Sequence, residues 1–269
     1  MKTIYYYQSF CGLDKIMTHS KDLDNIILSS IHFGIEDNKP YIHLNNNQPD
    51  DEIFKPVWEQ LQTLYHDGVT ITLMIGGAGG AYNNLFNNFD NYYALLKDIL
   101  KKHNIISGVD LDIEEEVDIK NVKKLINKLI SDFGEDFIIT MAPVSSSLTT
   151  DGSSMGGFSY KDLYDSDEGN HIDWFNVQCY GTYNLETYTQ IIENGYPVSK
   201  IIFGMLAGDF DNFDNALNEI IKVKKKYPKM LGVDVWEYIN APPDKDDPSE
   251  WAKKIRDLTK DINIQIENH

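Results

Sequence analysis

A chain of 269 residues with 42% hydrophobic and 25% charged residues has the composition of an ordinary globular protein, which excludes a disordered or collagen-like chain. Lys and Arg number 24 against 42 Asp and Glu, a formal net charge of -18, so the long-range field repels phosphate backbones and anionic membrane surfaces. Nucleic acid and membrane are not expected as partners, and no apolar run approaches the about 20 residues that a membrane span requires.

The first strand is predicted over 3–7, inside a start that reaches polar Gln8 and Ser9 too soon for the apolar core of a signal segment. The chain as written is therefore expected to be cytoplasmic, or secreted where a leader has been removed. Further strands are predicted over 26–33, 70–75, 108–113, 137–142, 174–180, 201–206 and 233–238, each rich in Ile, Val, Phe or Tyr. Helical spacing is clearest over 84–102, 119–133, 215–227 and 249–258, with Asp118 as an N-cap and Pro248 at the start of the last helix. Strand and helix alternate, as in βαβ units around a parallel sheet. Eight such strands predict a single (β/α)8 TIM barrel over residues 1–269, without a large insertion domain. A chain this long does not need a disulfide, so Cys11 and Cys179 are expected to be free thiols.

Active sites in such barrels lie at the C-terminal strand ends. That rule selects Tyr7, His32, Gly76, Asp110, Asp112, Glu114, Tyr180, Asp209 and Trp236. The fourth strand is the most informative. In Gly108-Val-Asp-Leu-Asp-Ile-Glu114 acids alternate with aliphatic residues, and the period of two puts Asp110, Asp112 and Glu114 on one face. The aliphatic set packs under the helices only if the acids point into the barrel, which is costly for charge unless neighbours compensate it. Alternate residues lie about 6.6 Å apart at Cα, so Asp112 and Glu114 do not both ionise easily and one is expected to hold a proton near neutral pH. A protonated carboxyl suits donation to a glycosidic oxygen, and Glu114 stands nearest the barrel mouth. Two acids on one strand cannot flank a sugar. Either another strand supplies the opposing carboxylate, with Asp209 or Glu237 as candidates, or the substrate supplies a 2-acetamido oxygen as its own nucleophile.

The stretch 108–114 resembles the DGxDxDxE signature of the family 18 glycoside hydrolases, which include chitinases and endo-β-N-acetylglucosaminidases. Met74-Ile-Gly-Gly77 resembles the family's SxGG, Thr140-Met-Ala-Pro143 its fifth-strand end, Gln178-Cys-Tyr180 its sixth-strand QxY, and Val235-Trp236-Glu237 the eighth-strand end that carries a tryptophan floor. The resemblance implies a retaining hydrolase of β-1,4-linked N-acetylglucosamine, with chitin oligomers ahead of the chitobiose core of N-glycans. It assigns Glu114 as acid and base, Asp112 as the group orienting the acetamido, Asp110 as the tuner of Asp112, and Tyr180 as donor to the acetamido oxygen. Trp236, Gln178, Met141, Tyr7, Gly76 and Gly77 are expected to line the sugar cleft. No cofactor or metal is implied, and a monomer is expected. The sequence departs from the family's pattern at Ser107, at Met74 and at Gly181, where Asn184 is the nearby candidate for the missing polar role. A non-hydrolytic sugar-binding protein on the same barrel is the alternative from another class.

Other readings of the same residues are weaker. Asp-x-Asp also suits a divalent metal, but the flanking Gly and Glu and the matching strands elsewhere favour the glycosidase. Gly76 to Gly80 lacks the Lys-Ser or Lys-Thr of a phosphate loop and is expected to be a tight turn. His32 is expected to be a satisfied structural histidine, and Cys179 to face the helices. In the Tyr5-Tyr6-Tyr7 run only Tyr5 or Tyr7 is expected in the cleft. Glu115 and Glu116 are expected to be solvated beside a helix start.

Overall fold

The protein is described by a computed structural model that covers residues 1–210 and 212–267. Nine strands form one sheet: β1 (Lys2–Tyr7), β2 (Asn25–Glu36), β3 (Lys39–Leu44), β4 (Thr70–Gly76), β5 (Ile106–Asp112), β6 (Ile138–Met141), β7 (Trp174–Gln178), β8 (Ile201–Leu206) and β9 (Gly232–Trp236). Their order is β1-β9-β8-β7-β6-β5-β4-β2-β3, and an additional β1–β2 pairing closes the eight parallel strands into a barrel. Strand β3 stands outside that ring. It pairs antiparallel with β2 as a hairpin and was not foreseen, because Asp37-Asn38 is not one of the Gly-containing pairs that mark tight turns. Both residues nonetheless adopt positive φ, 50° and 59°, as a two-residue type I′ turn requires.

Side-chain parity divides the barrel into two packing layers. Tyr5, Tyr7, Val109, Leu111, Met141, Phe175, Val177 and Val235 belong to the large core shared with the helices. Ile4, Tyr6, Ile27, Met74, Trp174 and Ile202 form a smaller cluster inside the barrel, with Trp236 packed against it. The β1 parity is therefore opposite to the expectation from sequence: Tyr6 faces inward, while Tyr5 and Tyr7 face the helices. Tyr5 explains why, since its hydroxyl donates to the Pro248 carbonyl at 2.6 Å and accepts from the Ala252 N–H at 3.0 Å, fastening β1 to the start of the helix Ser249–Glu267.

The helix Ile119–Phe133 begins as expected, with the Asp118 carboxylate accepting from the Lys120 N–H at 2.9 Å. The predicted helix over 84–102 is instead two, Tyr82–Asn87 and Phe89–Lys102, divided at Asn88, whose φ of -142° and ψ of 57° lie outside the helical region. A helix at Lys55–His66, missed in the sequence, follows the β2–β3 hairpin. No helix among the described residues is long and apolar enough to cross a membrane.

Candidate active site

At the C-terminal ends of the strands lies a cavity of about 710 Å³. Asp112 and Glu114 of the β5 end line it, together with Gly76 and Gly77 at the β4 end, Gln178 and Tyr180 at the β7 end, and Trp236 of β9. Gly76, Asp112, Glu114, Tyr180 and Trp236 are among the residues that the strand-end rule selects, and Gly77 and Gln178 are ones that the family resemblance adds. Gly76 and Gly77 hold φ of 97° and 83°, a region open to glycine, and the Gly77 N–H donates to the Asp112 carbonyl at 3.0 Å. The turn thereby brings backbone against the β5 end with no side chain intervening. The Ser29–Ser30 and Trp236–Glu237 peptide bonds are cis.

Beneath the cavity, Asp110 is fully buried and accepts three hydrogen bonds, from Tyr6 Oη at 2.8 Å, Thr140 Oγ1 at 2.6 Å and Asn176 Nδ2 at 3.0 Å. Burial raises its pKa, and the three donors oppose that rise. Asp112 accepts from Gln178 Nε2 at 3.1 Å. Its pKa is raised well above the ordinary carboxylate value, first by burial, then by the charges of Glu114 and Asp110 and by a hydrogen bond shared with Glu114, with Gln178 opposing. Asp112 is thus the member of the trio that burial and like charge drive to keep a proton. Burial, with Asp234 and Asp112 nearby, also raises the Tyr180 pKa well above its usual value, so its hydroxyl is a stable donor facing the cavity.

Two expected cleft residues are placed elsewhere. Tyr7 is buried on the helix side, where its hydroxyl accepts from the Gly12 N–H at 3.0 Å. Met141 pairs with Leu111 in register and shares its outward face; Ala142, one residue on, lines the cavity instead. Neither candidate for an opposing carboxylate lines the cavity. Glu237 accepts from Gln8 N at 2.7 Å, from Ser9 N at 3.1 Å and from the Ser9 hydroxyl. Exposed Asp209 accepts from Gly181 N at 2.6 Å. Asn184 caps the helix Leu185–Glu193 through the Thr187 N–H and does not replace a polar group at Gly181.

Ser107 lies at a register shift, where Ile71 pairs with Ile106 and Thr72 with Gly108, and makes none of the Asp110 hydrogen bonds. The departure there leaves the support of Asp110 intact. Met74 pairs with Asp110 in register and fills space below Gly77, so the polar support comes from Tyr6, Thr140 and Asn176.

Three residues gain roles that the sequence did not reveal. Tyr6 reaches both Asp110 and the cavity. Glu115 is a clamp for the neighbouring loop: it accepts from the N–H groups of Ala81, of Tyr82 at 2.6 Å and of Asn83 at 3.1 Å, at the start of the helix Tyr82–Asn87. Asp234 is buried inside the barrel with Oδ2 unpartnered among the described residues, and its pKa is raised well above the usual value by burial and by the charge of Asp110. His32 is satisfied, as expected, with Nε2 2.9 Å from Ser30 Oγ and Nδ1 2.8 Å from the Gly80 carbonyl, yet it also lines the cavity. The carbonyl can only accept, so Nδ1 carries the proton.

The sequence model for glycosyl hydrolases family 18 matches residues 2–233. The chain belongs to this family. As a family 18 member it is a glycoside hydrolase, in agreement with the resemblance read at 108–114. This family 18 chain is similar to a solved fungal endo-β-N-acetylglucosaminidase of the same family, with 30% identity over 96% of this chain and 98% of that chain and a TM-score of 0.85. It is also similar to a chitinase from Aspergillus fumigatus, with 27% identity over 100% of this chain and 99% of that chain and a TM-score of 0.84. A family 18 chitinase from Pseudoalteromonas aurantia shares the fold at 20% identity, covering 96% of this chain and 100% of that one with a TM-score of 0.74. No curated protein matches the chain.

Proposed function

We propose that residues 1–269 form one catalytic barrel that hydrolyses β-1,4-linked N-acetylglucosamine with retention, using the substrate's own acetamido group as nucleophile. The observation that carries this reading is the distribution of acids. Among the described residues, the carboxylates lining the cavity are Asp112 and Glu114 alone, both at the β5 end. A conventional retaining pair faces across the scissile bond at about 5–5.5 Å, and an inverting pair at about 6.5–9.5 Å. With both acids on one side, the opposite face of the anomeric carbon has no enzyme nucleophile or base, and an acetamido oxygen of the substrate fills that role.

In the proposed sequence Glu114 gives its proton to the glycosidic oxygen as the bond to the anomeric carbon breaks. The acetamido oxygen bonds to that carbon and forms an oxazolinium ion. The donated proton comes to Glu114 from Asp112, with which it shares a hydrogen bond, and the Asp112 carboxylate then accepts a hydrogen bond from the acetamido N–H as positive charge develops on the ring. Tyr180 donates to the acetamido oxygen and holds it under the anomeric carbon, while Gln178 fixes Asp112 and Trp236 supplies the apolar floor. Water, deprotonated by Glu114, then opens the oxazolinium and leaves the sugar with its original configuration. Asp110 acts through Asp112.

Turnover of fluorogenic chitobiose and chitotriose substrates between mildly acidic and neutral pH tests the reading. Release of the fluorophore is expected, and its absence from these substrates and from a high-mannose glycopeptide contradicts it. A second reading, cleavage within the chitobiose core of N-glycans, is favoured by the 30% identity to the fungal endo-β-N-acetylglucosaminidase. Release of a high-mannose glycan without cleavage of chitotriose selects it.

A further inference from the structure

The β2–β3 hairpin has two unlike faces. Residues directly opposite in an antiparallel pair share a face, and the register pairs Ile31 with Leu44, His32 with His43, Phe33 with Ile42 and Gly34 with Tyr41. Ile31, Phe33, Ile42 and Leu44 are all buried in the core. The other face turns toward the cavity, and His32, Tyr41 and His43 line it. The ribbon is anchored from the helix side, where Tyr92 Oη donates to the Gly34 carbonyl at 2.8 Å and Asn84 Nδ2 to the Phe33 carbonyl at 2.6 Å. It is a fixed wall, and a preorganised wall costs little ordering entropy on binding.

On that wall the Tyr41 and His43 rings stack with centroids 4.0 Å apart and planes 24° from parallel. The Tyr41 ring lies over Gly34, where any added Cβ would overlap it. Among the described residues the Tyr41 hydroxyl makes no hydrogen bond. Among the described residues no Lys or Arg lines the cavity, so the wall suits a neutral ligand and offers nothing to a phosphate, sulfate or sialic acid. Rigid amphipathic rings beside polar tips match the apolar faces and hydroxyls of a pyranose. Strand β3 lies three neighbours from β5 through β2 and β4, about 14 Å along the sheet, farther than the ring cleaved at Glu114 extends.

We propose that Tyr41 and His43 form a distal subsite for a neutral pyranose, at least one sugar unit removed from the bond being cut, so that the ribbon selects longer substrates over short ones. The inference rests on the glycosidase reading, which assigns no role to this ribbon. The ligand is an N-acetylglucosamine of a longer chitin oligomer or a mannose of an N-glycan, and the two sources separate in the test.

Three variants address it: Tyr41→Ala, His43→Ala and Gly34→Ala, the last of which displaces the Tyr41 ring while leaving the residue in place. Each is assayed on a fluorogenic chitobioside, on chitopentaose and on a high-mannose glycopeptide. The expected result is a KM raised about tenfold on the longer substrate the wild-type protein cleaves, with kcat and thermal midpoint near wild type and chitobioside kinetics unchanged. A defect on chitopentaose identifies the N-acetylglucosamine source, and one on the glycopeptide the mannose source. Equal losses on short and long substrates, or no loss on either, overturn the proposal. Should the wild-type protein cleave none of the three, calorimetric titration with chitopentaose and with the glycopeptide decides. Weaker binding by the variants supports the subsite although the glycosidase reading has failed, and equal or absent binding overturns both.

Discussion

The Tyr6 hydroxyl stands 2.8 Å from a carboxylate oxygen of Asp110, deep in the barrel and one layer below the cavity. Burial raises the Tyr6 pKa well above its usual value, so this hydroxyl remains a donor throughout the working range. It is one of three donors that compensate a carboxyl with no access to water. Tyr6→Phe removes that donor and leaves the ring packing intact. Leaving a buried acceptor short of a donor costs about 1–3 kcal/mol, and Asp110 is pushed further up because its charged form loses support. Urea unfolding is expected to show that loss, together with a lower kcat; unchanged values of both contradict the link between Tyr6 and the site.

Glu114→Gln removes the proposed proton donor and preserves the shape of the side chain. General acid catalysis contributes about 100- to 10,000-fold, and kcat is expected to fall within that range while chitotriose still binds in calorimetry. Turnover near wild type would assign the acid elsewhere.

Glu115→Ala leaves the N–H groups of Ala81, Tyr82 and Asn83 without their carboxylate. The expected cost is about 1–3 kcal/mol in unfolding free energy, with a higher KM because the adjacent loop residues Gly76 to Gly79 line the cavity. A variant with wild-type stability and KM would show that the clamp is dispensable.

The buried acids also set a pH dependence. Asp110, Asp112 and Asp234 have native pKa values above the unfolded value of 3.8, so the folded chain keeps protons that the unfolded chain has released. Their contribution to stability is full below that value and is lost as pH rises through the native pKa values. Asp234→Asn removes one of these groups, and its thermal midpoint is expected to fall less than that of wild type between pH 5 and 8. Parallel profiles for the two proteins contradict a protonated Asp234.

The site was legible in the sequence wherever side-chain character alternated. On β5, acid and aliphatic residues take opposite faces, and the face of Asp110, Asp112 and Glu114 follows from that contrast alone. Along β1 every residue from Ile4 to Tyr7 is hydrophobic, so composition carries no parity, and the inward ring proved to be Tyr6. The resemblance of Thr140-Met-Ala-Pro143 to the family's fifth-strand end implies Met141 in the cleft, whereas its register with Leu111 turns it outward. Glu115 was not legible because its three partners lie 32 to 34 residues away, across a turn. The β2–β3 ribbon was hidden by Pro40 and by a turn without glycine. The break at Asn88 falls in a run whose apolar spacing is continuous, and only the backbone angles reveal it.

Substrate participation is tested most directly by inhibition with a thiazoline analogue of N-acetylglucosamine, whose fused ring reproduces the oxazolinium in stable form. Competitive inhibition at concentrations well below the KM for chitotriose is the predicted result. Undiminished chitotriose hydrolysis at saturating analogue would contradict it and would require a nucleophile supplied by the protein.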